Sequence, residues 1–247
     1  MGEGKLKQEG FNSWDDCLKR KDQLPLGPKK AQQFIRDLKK SSLALKEDDI
    51  SFLLKRFPSK EHWRILSEYF NDATFFDIEI SDLGWYDSFP TVIAAYRDGT
   101  FYHFTWNDNL DEFLNFLNDS KLLVSFNGVS FDAPYLQNYF NIPPIEVPHV
   151  DLRWIAYHQG YRGGLKNIEK QLRVHRPETI GDVDGFEAVN LFHQWNSGIE
   201  KAGKELIQYC RCDVAATFLC AMKLLMMIHG KNDDIDIDVL YDEAMTL

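Results

Sequence analysis

Residues 74–80 have the sequence TFFDIEI, and this stretch decides how the rest of the chain is interpreted. Its apolar residues predict a short buried β-strand. Asp77 and Glu79 stand two residues apart, so a strand would direct both carboxylates to the same face. Carboxylates on a buried strand need a cation, a proton or hydrogen bonds. The motif therefore indicates a candidate metal site, and an acidic strand end on the surface is the simpler alternative.

A second apolar run, residues 122–126, is followed by NGVSFD over residues 127–132. The Asn127-Gly128 pair predicts a turn, and Asp132 is expected to open the next helix. A carboxylate is favoured there by the helix dipole, so N-capping is the structural alternative for Asp132.

The third acidic segment is YCRCD, residues 209–213. Tyr209 and Asp213 lie one turn apart on a predicted helix from about Gly203 to Ile228, so they share a face. The helix is apolar beyond Asp213, which predicts an inward-facing carboxylate. A charged helix surface with Tyr209 as a boundary aromatic is the alternative. Together, the acidic side chains of the three segments indicate one metal site that cuts phosphodiesters.

The joint pattern resembles the DEDD (DnaQ-like) superfamily of 3′–5′ exonucleases, in its tyrosine subclass, which has a ribonuclease-H-like fold. The matching motifs are Asp77-x-Glu79, Asn127-x-x-x-Phe131-Asp132 and Tyr209-x-x-x-Asp213. The resemblance extends to predicted bacterial exonucleases with a YprB-like ribonuclease H domain, through HVDL at 149–152 and GLKNIE at 164–169. Ile80 departs from the pattern, because these enzymes usually have Thr there.

The resemblance implies two divalent ions, Mg²⁺ or Mn²⁺, held by Asp77, Glu79, Asp132 and Asp213. Hard cations prefer such oxygen ligands. The resemblance gives Tyr209 the role of orienting the attacking water. Proton abstraction is not assigned to it, because a phenol with a pKa of about 10 is a poor base.

The candidate substrate contacts are Asn127 and Phe131 at the terminal nucleotide, Ile80 beside the first motif, and Lys166 at a phosphate. Arg162 is a further candidate for a phosphate contact. Asp151 either supports the metal ligands or caps the helix that follows it, and we favour the cap.

The remaining pattern predicts an α/β protein with a ribonuclease-H-like mixed sheet flanked by helices and preceded by a helical extension. Arg97-Asp98-Gly99 between two β-rich runs predicts a hairpin. The expected domains are a helical N-terminal extension (1–73), a ribonuclease-H-like exonuclease domain (74–229) and a solvated acidic C-terminal tail (230–247).

Composition restricts the partners. The net charge is −10, which argues against a protein that coats nucleic acid, because such binding needs many Lys and Arg. The four Cys residues lack zinc spacing and predict reduced thiols. No apolar stretch reaches the roughly 18 residues of a membrane span. We therefore expect a cytoplasmic protein with no membrane contact that acts on 3′ ends of single-stranded nucleic acid.

Two other functions compete with a metal-dependent 3′–5′ exonuclease of DNA or RNA. A structure-selective endonuclease on the same fold would cut a circular single strand. A non-catalytic nucleic-acid-binding module would keep the fold without the chemistry, although the presence of all four acids argues against it.

Overall fold

The computed structural model describes residues 3–82, 84, 88–177, 185–231 and 237–247. The chain forms two compact units, Met1–Pro58 and Ser59–Leu247. The division into functional domains at residues 73 and 229 remains a prediction.

The first unit consists of helices around a small apolar cluster. Its helices are α1 (Glu3–Gln8), α2 (Trp14–Lys19), α3 (Pro28–Lys46) and α4 (Ile50–Arg56). Ser13 caps α2: its Oγ accepts from the Asp16 N–H at 3.0 Å, and the Asp16 carboxylate accepts from the Ser13 N–H at 3.1 Å. The buried members of the cluster are Phe11, Cys17, Leu24 and Leu38.

The second unit contains a mixed five-stranded sheet in the order β3-β2-β1-β4-β5. The strands are β1 (Ala73–Ile80), β2 (Pro90–Arg97), β3 (Thr100–Thr105), β4 (Leu122–Ser125) and β5 (His149–Asp151). The first three pair antiparallel, with the predicted hairpin between β2 and β3, whereas β1–β4 and β4–β5 are parallel. The α/β class and the mixed sheet predicted from the sequence are confirmed.

The helices of this unit surround the sheet. They are α5 (His62–Glu68), α6 (Glu112–Asn118), α7 (Asp132–Tyr139), α8 (Leu152–His158), α9 (Leu165–Leu172), α10 (Gly185–Asn196), α11 (Glu200–Ile228) and α12 (Ile237–Met245). Within the described ranges, no helix is long and apolar enough to cross a bilayer.

The central position of β1 determines where the acidic motifs meet. Because β1 and β4 are parallel, their carboxyl ends lie at the same edge of the sheet. Asp77 and Glu79 stand near the end of β1, and the chain leaves β4 at Ser125 to reach Asp132 at the start of α7. The long helix α11 packs across β1 and β2, which brings the third motif to the same sheet.

A glycine allows α10 to pack closely against α11. A Cβ atom at Gly203 would lie 2.5 Å from Cε2 of the Trp195 indole, which is too close for any side chain. The buried face of α11 therefore needs glycine at this position.

The C-terminal segment differs from the prediction. A solvated acidic tail was expected over residues 230–247, but residues 237–245 form α12, which packs on α11 with Tyr241 only 1% exposed. Arg211 on α11 donates to the carbonyls of Glu243 and Thr246 at 2.8 and 2.7 Å. These bonds satisfy carbonyls at the helix end, which explains why an acidic sequence docks here. Asp233, Asp234 and Asp236 of the predicted tail lie outside the described residues.

Candidate active site

Asp77 and Glu79 form the centre of the candidate site. One carboxylate oxygen of each residue and the Sγ atom of Cys210 lie within 4.8 Å of one another. Asp77 is partly buried, and Glu79 and Cys210 are buried. The alternative of a surface strand end therefore does not hold for this motif.

The electrostatic surroundings of these two carboxylates are unfavourable without a cation. Burial, and then the charges of Asp213 and Asp132, raise the pKa of Asp77 well above its usual value. The same causes in the same order raise the pKa of Glu79. Lys166 and Arg176 oppose the rise at Glu79 only in part. Carboxylates from all three acidic motifs thus act on one another at this end of the sheet.

Asp132 is held by a tight turn. Phe131, rather than Asp132, is the N-cap of α7, so Asp132 begins the helix as predicted but does not cap it. Burial and the neighbouring Asp151 raise the pKa of Asp132 to about 8. A Cβ atom at Gly128 would lie 2.4 Å from Oδ2 of Asp132, so the turn approaches this carboxylate as closely as glycine allows.

The same turn is supported from the neighbouring strands. Ser125 Oγ accepts from the Gly128 N–H at 3.1 Å and is joined to His149 Nε2 by a hydrogen bond of 2.7 Å. Burial lowers the pKa of His149 to about 4, so the imidazole is neutral near pH 7. Ser125 therefore links the neutral His149 imidazole to the turn that precedes Asp132.

Asp151 has the capping role that the sequence favours. Its Oδ1 accepts from the N–H groups of Arg153 at 3.0 Å and Asn127 at 2.9 Å. The first bond caps α8, and the second fixes Asn127, which has a left-handed backbone with φ of 70°. Its charge also acts on Asp132, so Asp151 contributes to the electrostatics of the site as well.

Asp213 is joined to a buried ion pair. Arg176 donates to Glu169 through Nε at 2.7 Å and through Nη2 at 2.6 Å, and Nη2 also pairs with Asp213 Oδ1. Burial opposes the charge on Arg176, yet the carboxylates of Asp213 and Glu169 outweigh it and raise the guanidinium pKa. The guanidinium is held by two bonds to Glu169, and its Nη2 atom fixes one oxygen of Asp213.

Tyr209 and Asp213 line an open cleft of about 380 Å³ together with Gly164, Leu165, Lys166, Asn167 and Gly185. Burial, and then the charges of Asp213, Glu79 and Asp77, raise the pKa of Tyr209 far above its usual value. The phenol therefore stays protonated and can donate a hydrogen bond in the cleft. Lys166 Nζ lies 5.5 Å from the centre of the Tyr209 ring.

The other predicted substrate contacts lie in different surroundings. Asn127 Oδ1 accepts from Arg153 Nη1 at 2.5 Å, which places an exposed guanidinium beside the second motif. Phe131 stacks on Tyr135, with ring centres 5.9 Å apart. Ile80 is partly buried and, like Phe131, packs against the apolar cluster of the sheet, so packing accounts for both residues in this structure.

Two features of the site are missing from the sequence interpretation. Cys210, interpreted as an ordinary reduced thiol, donates through Sγ to the Asp77 carbonyl at 3.5 Å. Burial and the nearby carboxylates raise the pKa of its thiol well above the usual value, so Cys210 is neutral. Its position next to Tyr209 on a helix was the available signal. The pair of Glu169 and Arg176 had no signal in sequence spacing.

The donor set fits hard divalent cations. Buried carboxylates that raise one another's pKa are stabilised by a nearby positive charge, and oxygen is the ligand that Mg²⁺ and Mn²⁺ prefer. A neutral thiol is not a ligand for such ions, so Cys210 fills space beside the carboxylates. The ligand set of Asp77, Glu79, Asp132 and Asp213 remains a prediction, and the first two of these lie in the cluster with Cys210.

Comparison with known proteins assigns the family. Residues 74–225, more than half of the chain, match the RNase_H superfamily, so the chain belongs to that superfamily. The fold is similar to that of the family B DNA polymerase from the hyperthermophilic archaeon Pyrobaculum calidifontis, with a TM-score of 0.52 and 18% identity. The match covers 71% of this chain and 27% of the polymerase chain, and it establishes the fold alone. No curated protein matches this chain. The predicted ribonuclease-H-like fold is confirmed, whereas membership of the tyrosine subclass and of the YprB-like group remains a prediction.

Proposed function

We propose that this protein is a metal-dependent 3′–5′ exonuclease that hydrolyses phosphodiester bonds at the 3′ ends of single-stranded DNA or RNA. One observation carries the proposal: burial, and then the charges of Asp213 and Asp132 from two other segments, raise the pKa values of Asp77 and Glu79. Such a cluster costs folding free energy until a cation neutralises it, so selection for stability alone does not account for it.

The bound ions would supply the activated water and neutralise charge on the phosphate and the leaving oxygen. The residues of the chain would hold these ions and orient the reacting groups. Asp77, Glu79, Asp132 and Asp213 are the proposed ligands. Tyr209, protonated in the cleft, would donate to the attacking water or to the phosphate and so fix the direction of attack.

Lys166 is the proposed phosphate contact. It lies in the wall of the cleft that Tyr209 shares, and its charge reaches Glu79. Asn127 would orient the terminal nucleotide through its amide group. Neither residue needs to lose a proton in this scheme.

The test is digestion of 5′-labelled single-stranded DNA and RNA oligomers with Mn²⁺. We expect a ladder that shortens from the 3′ end, with full protection by a 3′-terminal block. The matched negative control is Asp213→Asn, which removes one ligand and preserves side-chain volume. Internal cuts in a circular single strand would show an endonuclease instead, and the absence of cleavage in both nucleic acids would contradict the proposal.

A further inference from the structure

We propose that the exposed face of α8 and the loop after it bind the single strand upstream of the scissile nucleotide, by base stacking and phosphate pairing. This surface, called here the aromatic platform, consists of Arg153, Trp154, Tyr157 and Arg162. The inference rests on the proposed function for the identity of the strand, but its binding test does not depend on cleavage.

The two aromatic residues of the platform are partly exposed and contact each other on the surface of α8. Trp154 and Tyr157 are 42% and 45% exposed, and they stand three residues apart on one face of α8. Their ring centres are 5.7 Å apart, with planes at 70°. Large aromatic side chains are usually buried, so two adjacent exposed rings indicate a surface that binds something.

The cations of the platform make a nucleic acid the fitting occupant. Arg162 Cζ lies 3.8 Å from the centre of the Tyr157 ring, and Arg153 Cζ lies 5.8 Å from that of Trp154. The platform therefore pairs each ring with a guanidinium, on a chain whose net charge is −10. Aromatic faces that stack bases, next to guanidinium groups that meet phosphates, are the combination that binds single strands without sequence preference.

The platform is continuous with the candidate active site. Arg153 donates to Asn127 of the second motif at 2.5 Å. On the other side, Arg162 is two residues from Gly164, which lines the cleft with Tyr209. Arg162 is held in place because its Nη1 donates to the carbonyls of Tyr157 and Tyr161. A strand with its 3′ end in the cleft thus has a positively charged aromatic surface next to its upstream nucleotides.

The binding test uses fluorescence anisotropy of a 5′-labelled twelve-residue oligothymidylate with the 247-residue chain in Ca²⁺. We expect Trp154→Ala and Tyr157→Ala each to raise Kd about tenfold, which is ~1.4 kcal/mol and within the range for base stacking. Trp154→Phe and Tyr157→Phe keep a stacking face and should retain most of the affinity. Tyr139→Ala is the matched control, because Tyr139 is 43% exposed on α7, outside the platform.

A second measurement separates the platform from the chemistry. The p-nitrophenyl ester of thymidine 5′-monophosphate carries a single nucleotide and so offers no upstream base to the platform. With Mn²⁺, the alanine variants should hydrolyse this ester at the wild-type rate, while their KM for the oligomer rises about tenfold. If the wild type hydrolyses neither substrate, the proposed exonuclease is wrong, and the anisotropy still tests the platform. Wild-type Kd values in both alanine variants, or an equal loss on the ester, would overturn the platform.

Discussion

Single carboxylates in the candidate site have raised pKa values, so their ionised forms lower the stability of the protein without a cation. Asp132 illustrates this, since burial and Asp151 raise its pKa from 3.8 to about 8. The folded state therefore prefers the protonated form. The stability that follows is fully present below about pH 4 and is lost as the pH rises toward about 8.

We predict that Asp132→Asn stabilises the metal-free protein, and more at pH 8 than at pH 5. The amide cannot ionise, so the variant escapes the loss that the wild type suffers. The gain at pH 8 should exceed the gain at pH 5 by at least about 1 kcal/mol. Urea unfolding in EDTA at the two pH values measures it, with exposed Asp119→Asn as the control. If the stability difference between Asp132→Asn and the wild type did not depend on pH, the pKa of Asp132 would not be raised. In saturating Mn²⁺, we expect the wild type to be the more stable of the two.

The role proposed for Tyr209 depends on its hydroxyl group and not on its ring. We predict that Tyr209→Phe slows hydrolysis by roughly 100-fold, because the protonated phenol is the group proposed to position the reacting atoms. Mn²⁺ affinity measured by calorimetry should stay within about twofold, because the phenol is not a proposed ligand. Tyr135→Phe is the matched control, because it removes the hydroxyl group of another buried tyrosine and should leave turnover unchanged. Full activity in Tyr209→Phe would mean that the ring is only a packing group.

Gly128 is required by the space around it. We predict that Gly128→Ala destabilises the protein by roughly 1–3 kcal/mol, because the new methyl group overlaps Ser125 Oγ and Asp132 Oδ2. The displaced carboxylate should also weaken Mn²⁺ binding. Gly27→Ala is the control, because nothing lies within 4 Å of the added Cβ. Thermal unfolding and Mn²⁺ calorimetry on both variants decide the matter, and equal behaviour would mean that the turn adapts.

At the scale of elements, Arg176 links the loop after α9 to α11. We predict that Arg176→Met destabilises the metal-free protein by about 3 kcal/mol, because Glu169 and Asp213 lose the cation between them. The loss should shrink in Mn²⁺, which supplies positive charge next to Asp213, and in the double variant with Glu169→Gln. Arg64→Met, which breaks the exposed pair with Glu61, should cost little. If Arg176→Met lowered the free energy of unfolding equally in EDTA and in Mn²⁺, Arg176 would not be coupled to the metal site.

Elements with a strong periodic pattern were predictable from the sequence. The hairpin followed from Asp98-Gly99, and helix α11 (Glu200–Ile228) agrees with the helix predicted from about Gly203 to Ile228. The acidic motifs were found because the spacing of each motif is local, and family resemblance joined them. Glu169 and Arg176 were missed because their pairing depends on the return of a loop. Helix α12 was missed because its acidic sequence resembles a solvated segment, while its docking depends on Arg211 of a distant helix.

At the scale of the whole molecule, the charge of the chain limits how it binds its substrate. Acidic residues outnumber basic ones to give a net charge of −10, and the cations proposed here to meet phosphates are Lys166, Arg153 and Arg162. Three phosphate contacts on a single strand give a slope of about −2 for log affinity against log salt. Proteins with six to ten contacts lose at least about a thousandfold between roughly 50 and 200 mM salt.

We therefore predict that the affinity for a single-stranded oligomer falls only about 20-fold between roughly 50 and 200 mM NaCl. Anisotropy at a series of NaCl concentrations measures the slope, and Arg162→Gln should reduce it by about 0.7, the contribution of one contact. Arg64→Gln, an exposed arginine paired with Glu61, is the matched control and should leave the slope unchanged. A loss of several hundredfold in affinity would indicate broad electrostatic binding over the surface. An unchanged slope in Arg162→Gln would mean that the strand does not contact Arg162.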